Sequence, residues 1–189
     1  MKNLLRSVFT MFLILLSCTG SNTGPDRSSG DGTISVTVDL PATIGSSGLE
    51  VLIADSVYHL STGRTEFSFN PGTSLPVLSV VKSGDTPVAL SFFCAGNSAN
   101  SISCPETAVS LIMLKMLLYA ASPSLLSGLV EKVRGVDAVG TLGSVIKESF
   151  ETGGNPLTDP DQSFIDAFSE AQKAVSDMVI ALARSEGGN

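Results

Sequence analysis

The side chains of this chain that could do chemistry are few. They are three cysteines (Cys18, Cys94 and Cys104), one histidine (His59) and some clustered carboxylates. A hydroxyl or thiol nucleophile needs a base within hydrogen-bond reach. His59 lies in Val57-Tyr58-His59-Leu60, a strand pattern, and there is no Gly-x-Ser-x-Gly elbow. It reads as a sheet residue rather than a base. Two thiols and a lone histidine fall short of a zinc ligand set. Asp159 and Asp161 flank Pro160. Without the spaced oxygens of a calcium loop they read as helix caps. Glu131, Asp137, Glu148 and Glu151 read as a solvated acidic face. A chain with no Trp, and with only Tyr58 and Tyr119 as tyrosines, offers little to stack a sugar. The expectation is a non-enzyme, with no catalytic residue, no cofactor and no metal. A hydrolase with an unrecognised carboxylate site stays open as an alternative.

Cys18 stands apart because of what precedes it. Lys2 and Arg6 charge the first residues, and Val8 to Leu16 is apolar except for Thr10. That run is too short for a membrane-spanning helix, which takes about 20 apolar residues. A charged start, a short apolar core and small residues at its end mark a cleaved signal peptide. Leu15-Leu16-Ser17-Cys18 resembles the bacterial lipoprotein signal, or lipobox, with a bulkier residue than usual at Leu16. The resemblance implies cleavage after Ser17, a diacylglycerol on the Cys18 sulfur and an acyl chain on its new amino group. Each buried CH₂ contributes about 0.8 kcal/mol, so several chains anchor stably where one does not. Thr19, not aspartate, follows Cys18. In a Gram-negative cell the resemblance then implies delivery to the outer membrane. The alternatives are ordinary secretion, with cleavage after Gly20 or Gly24, and an uncleaved anchor helix.

Composition fits an exported, acidic protein. Loss of Lys2 and Arg6 leaves 9 of the 11 basic residues against 18 acidic ones, a formal charge of −9. Such a chain repels nucleic acid, and none is expected as a partner. With Cys18 acylated, Cys94 and Cys104 remain as an even pair in an oxidising compartment, so they are expected to form a disulfide. The loop between them, Ala95 to Ser103, is mostly small and polar. Closing a loop of that size stabilises by roughly 3 kcal/mol in the chain-entropy description. Free thiols are the competing reading.

The elements around these residues follow from periodicity. Residues 19–32 carry almost no apolar side chain and read as a flexible tether spanning about 20 Å. Ile34, Val36 and Val38 alternate with Ser35, Thr37 and Asp39, the mark of a half-buried strand. Further runs at Leu49 to Ala54, Ser56 to Leu60, Thr65 to Phe69, Leu75 to Val81 and Val88 to Cys94 are split by turn residues. Six short strands in this rhythm predict an antiparallel sandwich over 33–94. Gly32-Thr33-Ile34-Ser35-Val36-Thr37-Val38, Gly48-Leu49-Glu50-Val51-Leu52-Ile53 and Thr65-Glu66-Phe67-Ser68-Phe69-Asn70-Pro71-Gly72 resemble the carboxypeptidase-regulatory-like group of transthyretin-like sandwiches. Ser61 to Glu66 departs from the turn usual in that group. The resemblance implies a binding or spacer module.

After the loop at 95–104 the period changes to that of helices. Ser103-Cys104-Pro105-Glu106 has capping-box spacing. Ala108 to Ala121 is apolar nearly all round and reads as a core helix, with Leu111, Ile112, Leu114, Leu117 and Leu118 packed and Lys115 outward. Ser122-Pro123 starts a second helix, Asp137 a third, and Asp159 to Gln162 a fourth. The fourth carries the stripe Phe164, Phe168, Ala171, Val175, Met178, Leu182. Gly140 and Gly143 weaken the third.

The fold expected is thus α+β: a signal peptide at 1–17, a lipidated Cys18 and tether to 32, a β-sandwich of about six strands at 33–94, a disulfide loop at 95–104, and about four helices at 105–186. The function expected is a non-enzymatic lipoprotein, held to a membrane through Cys18 and able to bind a protein partner. The N-terminal module of a larger secreted protein is the other alternative.

Overall fold

Alternation in the first strand sets the architecture. In β1 (Ile34–Asp39) Val36 and Val38 are buried while Ser35, Thr37 and Asp39 are exposed. The computed structural model describes residues 34–44, 48–60, 66–70, 76–94 and 100–186. The signal and tether expected at 1–32, with Cys18, lie outside the described residues. β1 pairs antiparallel with β4 (Glu66–Phe69), Ile34 opposite Phe69. On its other edge it pairs in parallel with β7 (Asn100–Ser103), Val36 opposite Asn100. These three strands form one sheet, in the order β4-β1-β7.

The second sheet is an antiparallel group in the order β3-β2-β5-β6, built from β2 (Leu49–Ile53), β3 (Ser56–Leu60), β5 (Val77–Ser83) and β6 (Thr86–Phe93). Two of its connections are two-residue turns, Ala54-Asp55 and Gly84-Asp85. Ala54 and Gly84 both have positive φ, as the hairpin turns that match strand twist require. Tyr58, Phe67, Phe69 and Phe93 join the sheets. Phe69 lies with its ring centre 5.3 Å from Phe93 and 6.1 Å from Tyr58. Offset and tilted rings at these spacings add to the stabilisation from burial.

The architecture is therefore mixed α and β, with two sheets of three and four strands followed by four helices. It differs from the sequence expectation in one strand and in one direction. Asn100–Ser103 was expected to lie in a loop, but it is a strand, and its partnership with β1 is parallel. The residues Asn-Ser-Ile-Ser have a single large apolar side chain, so alternation is too short to announce a strand. Tertiary pairing with the free edge of β1 supplies the missing specification.

The polar side chains around β6 explain how helices cover a sheet edge. β6 is the last strand of its sheet and is buried from Pro87 to Phe93. An open edge leaves backbone groups without partners. Here Asn155 donates to Pro87 O at 3.1 Å, the Thr107 hydroxyl accepts from Leu90 N at 3.2 Å, and Asn100 Oδ1 accepts from Cys94 N at 3.2 Å. Each helper follows β6 in the chain.

The helices are α1 (Cys104–Lys115), α2 (Pro123–Arg134), α3 (Asp137–Glu151) and α4 (Gln162–Glu186). Ser103 caps α1, its hydroxyl accepting from Glu106 N at 3.3 Å. Asp161 caps α4, accepting from Phe164 N at 2.8 Å, and these bonds hold its carboxyl below the ordinary range. Asp137 is the first residue of α3, so it faces the positive helix end rather than capping it. Gly143 allows α3 to lie against α1, since a methyl group there would stand 2.9 Å from Pro105 Cα. In α4, Phe164, Phe168, Ala171 and Val175 are buried, with the two rings stacked at 5.9 Å.

Candidate functional site

Of the residues singled out in the sequence, Cys94 and Cys104 are described, and both are buried free thiols. The disulfide expected between them is not the arrangement found. Their surroundings differ. Cys94, just after β6, has the Ser127 side chain as a hydrogen-bond neighbour and feels the charges of Arg134, Glu131 and Glu106. Cys104, at the start of α1, feels the charges of Asp39, Lys147 and Glu151. Between the cysteines, Asn100–Ser103 is drawn into a ladder with β1 instead of lying in a simple loop. Burial raises both thiols, Cys104 to about 11, so neither is a ready nucleophile.

Arg134, Glu106 and Glu131 form a polar cluster in the helical part. Arg134 Nε and Nη2 each lie 2.8 Å from a carboxylate oxygen of Glu106, and Arg134 Nη1 pairs with Glu131. Glu106 is 8% exposed. The capping-box position thus holds its glutamate in a bidentate tertiary pair. Hydrogen bonding to Glu106 raises Arg134 further above the already high arginine range. A forked pair of this kind fixes where the end of α2 meets the start of α1.

The other end of the same helix pair is apolar and exposed. α1 ends at Lys115, three residues after the buried Ile112. Met116 N–H then bonds Ile112 O, and Leu117 N–H bonds Leu114 O. Leu117 takes φ 57° and ψ 22°, the left-handed conformation that usually belongs to glycine after a helix. A short 3-10 turn over Leu118–Ala120 leads to Pro123 and α2. This geometry corrects the expectation that Leu117 packs in the core: it is 63% exposed, as is Leu125, and Tyr119 is 45% exposed. The reversal at 117 breaks the helical period, so its side chain leaves the buried stripe.

Contacts along the α1–α2 pair place this tip. Arg134 reaches Glu106, so α2 returns antiparallel to α1. Ser127, two turns nearer the tip than Arg134, hydrogen-bonds the Cys94 thiol. Cys94 is tied to Asn100, and Asn100 stands opposite Val36. The tip itself is the end of the pair away from Arg134 and Glu106. A signal for the tip was present in the sequence: from Thr107 to Val130 the chain carries one charged residue, Lys115, although the protein is strongly acidic.

His59 lies on β3, exposed, with Nδ1 3.6 Å from Glu50 Oε1 across the β2–β3 pair. Among the described residues, no group of three His, Cys, Asp or Glu side chains could hold a metal ion. No helix among them is long and apolar enough to cross a membrane. Comparison with known protein families, with curated proteins and with solved structures finds no match to this chain.

Proposed function

We propose that the chain is an exported lipoprotein whose domain from β1 onward acts as a non-enzymatic binding or structural module at a membrane surface. The observation that carries this reading is Leu15-Leu16-Ser17-Cys18 behind a charged start and a short apolar run. Acyl chains on Cys18 hold the protein to the bilayer. In a two-membrane cell, Thr19 after Cys18 directs it to the outer membrane, where it stands in the periplasm or at the cell surface. The β part belongs to this reading as a sandwich resembling the carboxypeptidase-regulatory-like modules, enlarged by the parallel strand β7. The exposed tip at Leu117, Tyr119 and Leu125 supports a role in contact rather than catalysis, since exposed apolar clusters mark interaction surfaces.

The test is metabolic labelling with a tagged fatty acid in a bacterial host. Label on the native chain and none on Cys18→Ala is the expected outcome. Equal label on both, or equal release of both into the medium, removes the reading.

A further inference from the structure

We infer that the α1–α2 tip, with Leu117, Tyr119 and Leu125 leading, inserts shallowly into the lipid surface beside the anchor. The inference rests on the lipid-anchor reading for its geometry.

Three observations carry it. The first is exposure. Leu117 and Leu125 are both 63% exposed, and Tyr119 adds an amphipathic ring beside them. Tyrosine suits the boundary between acyl chains and water, because one end of its ring is apolar and the other hydrogen-bonds. The second is charge. The protein is acidic overall, yet the 24 residues between Glu106 and Glu131 carry no carboxylate and one lysine, Lys115. A segment free of acid groups adds no repulsion of its own against anionic headgroups, and Lys115 at the end of α1 can extend its apolar stem while its ammonium stays among them. The third is the reach of the chain to the anchor. Only residues 19–33 separate Ile34, the first residue of β1, from Cys18. A chain of that length spans at most about 50 Å when fully extended. An anchor on Cys18 therefore holds the domain within that distance of the bilayer. Shallow burial of apolar side chains under those conditions adds a second attachment to the acyl chains.

The chain has no tryptophan, so one introduced residue reports its own surroundings. The full chain carrying Tyr119→Trp is purified from a bacterial host and reconstituted in phosphatidylcholine–phosphatidylglycerol vesicles with brominated acyl chains. A parallel protein carries Val57→Trp, on the exposed face of β3. Flotation shows whether each protein is on the vesicles. The expected result is that both float, that emission at position 119 is blue-shifted and quenched by the bromines, and that emission at 57 is unchanged. Adding Leu117→Asp and Leu125→Asp to the Tyr119→Trp protein should abolish the quenching while flotation persists. Flotation without quenching at 119 overturns the tip inference and leaves the anchor standing. Failure of the native chain to float overturns the anchor reading and the tip inference with it. A blue shift that follows protein concentration and is indifferent to the bromines assigns the tip to a second copy of the chain, and overturns lipid insertion.

Discussion

Arg134 forks onto Glu106, with two nitrogen–oxygen distances of 2.8 Å across 28 residues of sequence. The pair locks the last turn of α2 to the first turn of α1, at the end of the helix pair opposite the exposed tip. A largely buried carboxylate deprived of its cation is costly, more so than the pair is valuable. Arg134→Met should therefore lower stability by about 2–4 kcal/mol. Glu106→Gln combined with Arg134→Met should recover much of that loss, because no buried charge is left alone. Urea unfolding of the two variants and the native chain decides. Hydrogen bonding to Glu106 raises Arg134 from a value already far above neutrality, so Arg134 itself keeps its charge from acid to neutral pH.

The two thiols give a pH dependence of known sign. Burial raises both, Cys104 from 9.0 to about 11. The folded protein then holds a proton that the unfolded chain releases, so stability is full below pH 9 and falls as pH rises through 9 toward 11. Cys104→Ala, set against the same variant's stability at neutral pH, should flatten that decline. In the folded protein at pH 8, a thiol reagent should modify neither Cys94 nor Cys104; in denaturant without reductant it should modify both. Protection of both in denaturant, relieved by reductant, would show the pairing read from the sequence.

Legibility varied with how much of each element is decided locally. The stripe from Phe164 to Val175 and the Asp161 cap announce α4 because both signals lie within it. Alternation announces β1 for the same reason. β7 was illegible because Asn100–Ser103 owes its conformation to the edge of β1, far away in sequence. The apolar run after Ala108 announced a helix correctly but gave too late an end. Nothing in Leu117 foretells a left-handed backbone, which is ordinarily the mark of glycine. The candidate residues divide in the same way: the reading of Cys18 rests on a motif alone and lies outside the described residues, whereas the tip becomes visible only once the helix is seen to stop at Lys115.

Two glycines of α3 that look alike in sequence should behave in opposite ways. At Gly140 an added methyl group meets nothing within 4 Å, so Gly140→Ala should raise stability by about 1 kcal/mol through helix propensity. At Gly143 the same methyl group would stand 2.9 Å from Pro105 Cα, which is backbone and cannot swing aside. Gly143→Ala should force α3 away from α1 and lower stability by about 1–3 kcal/mol. Thermal unfolding of the pair checks both signs at once. Equal effects would mean that α3 does not approach Pro105 so closely.

Leu117 offers the sharpest separation of stability from function. A left-handed conformation costs a branched residue such as leucine about 1–2 kcal/mol, and glycine almost nothing. At 63% exposure the side chain returns little of that through burial. Glycine is also more flexible when unfolded, which offsets part of the gain. Leu117→Gly should therefore raise stability by a net of about 0.5–1 kcal/mol, read as a higher urea midpoint with an unchanged slope. The same variant should weaken contact of the tip with lipid, because one of its two most exposed apolar side chains is gone. Leucine held there at a cost to the fold is what a contact surface requires. A loss of stability in Leu117→Gly would show instead that Leu117 packs within the protein, and the account of an exposed tip would fall.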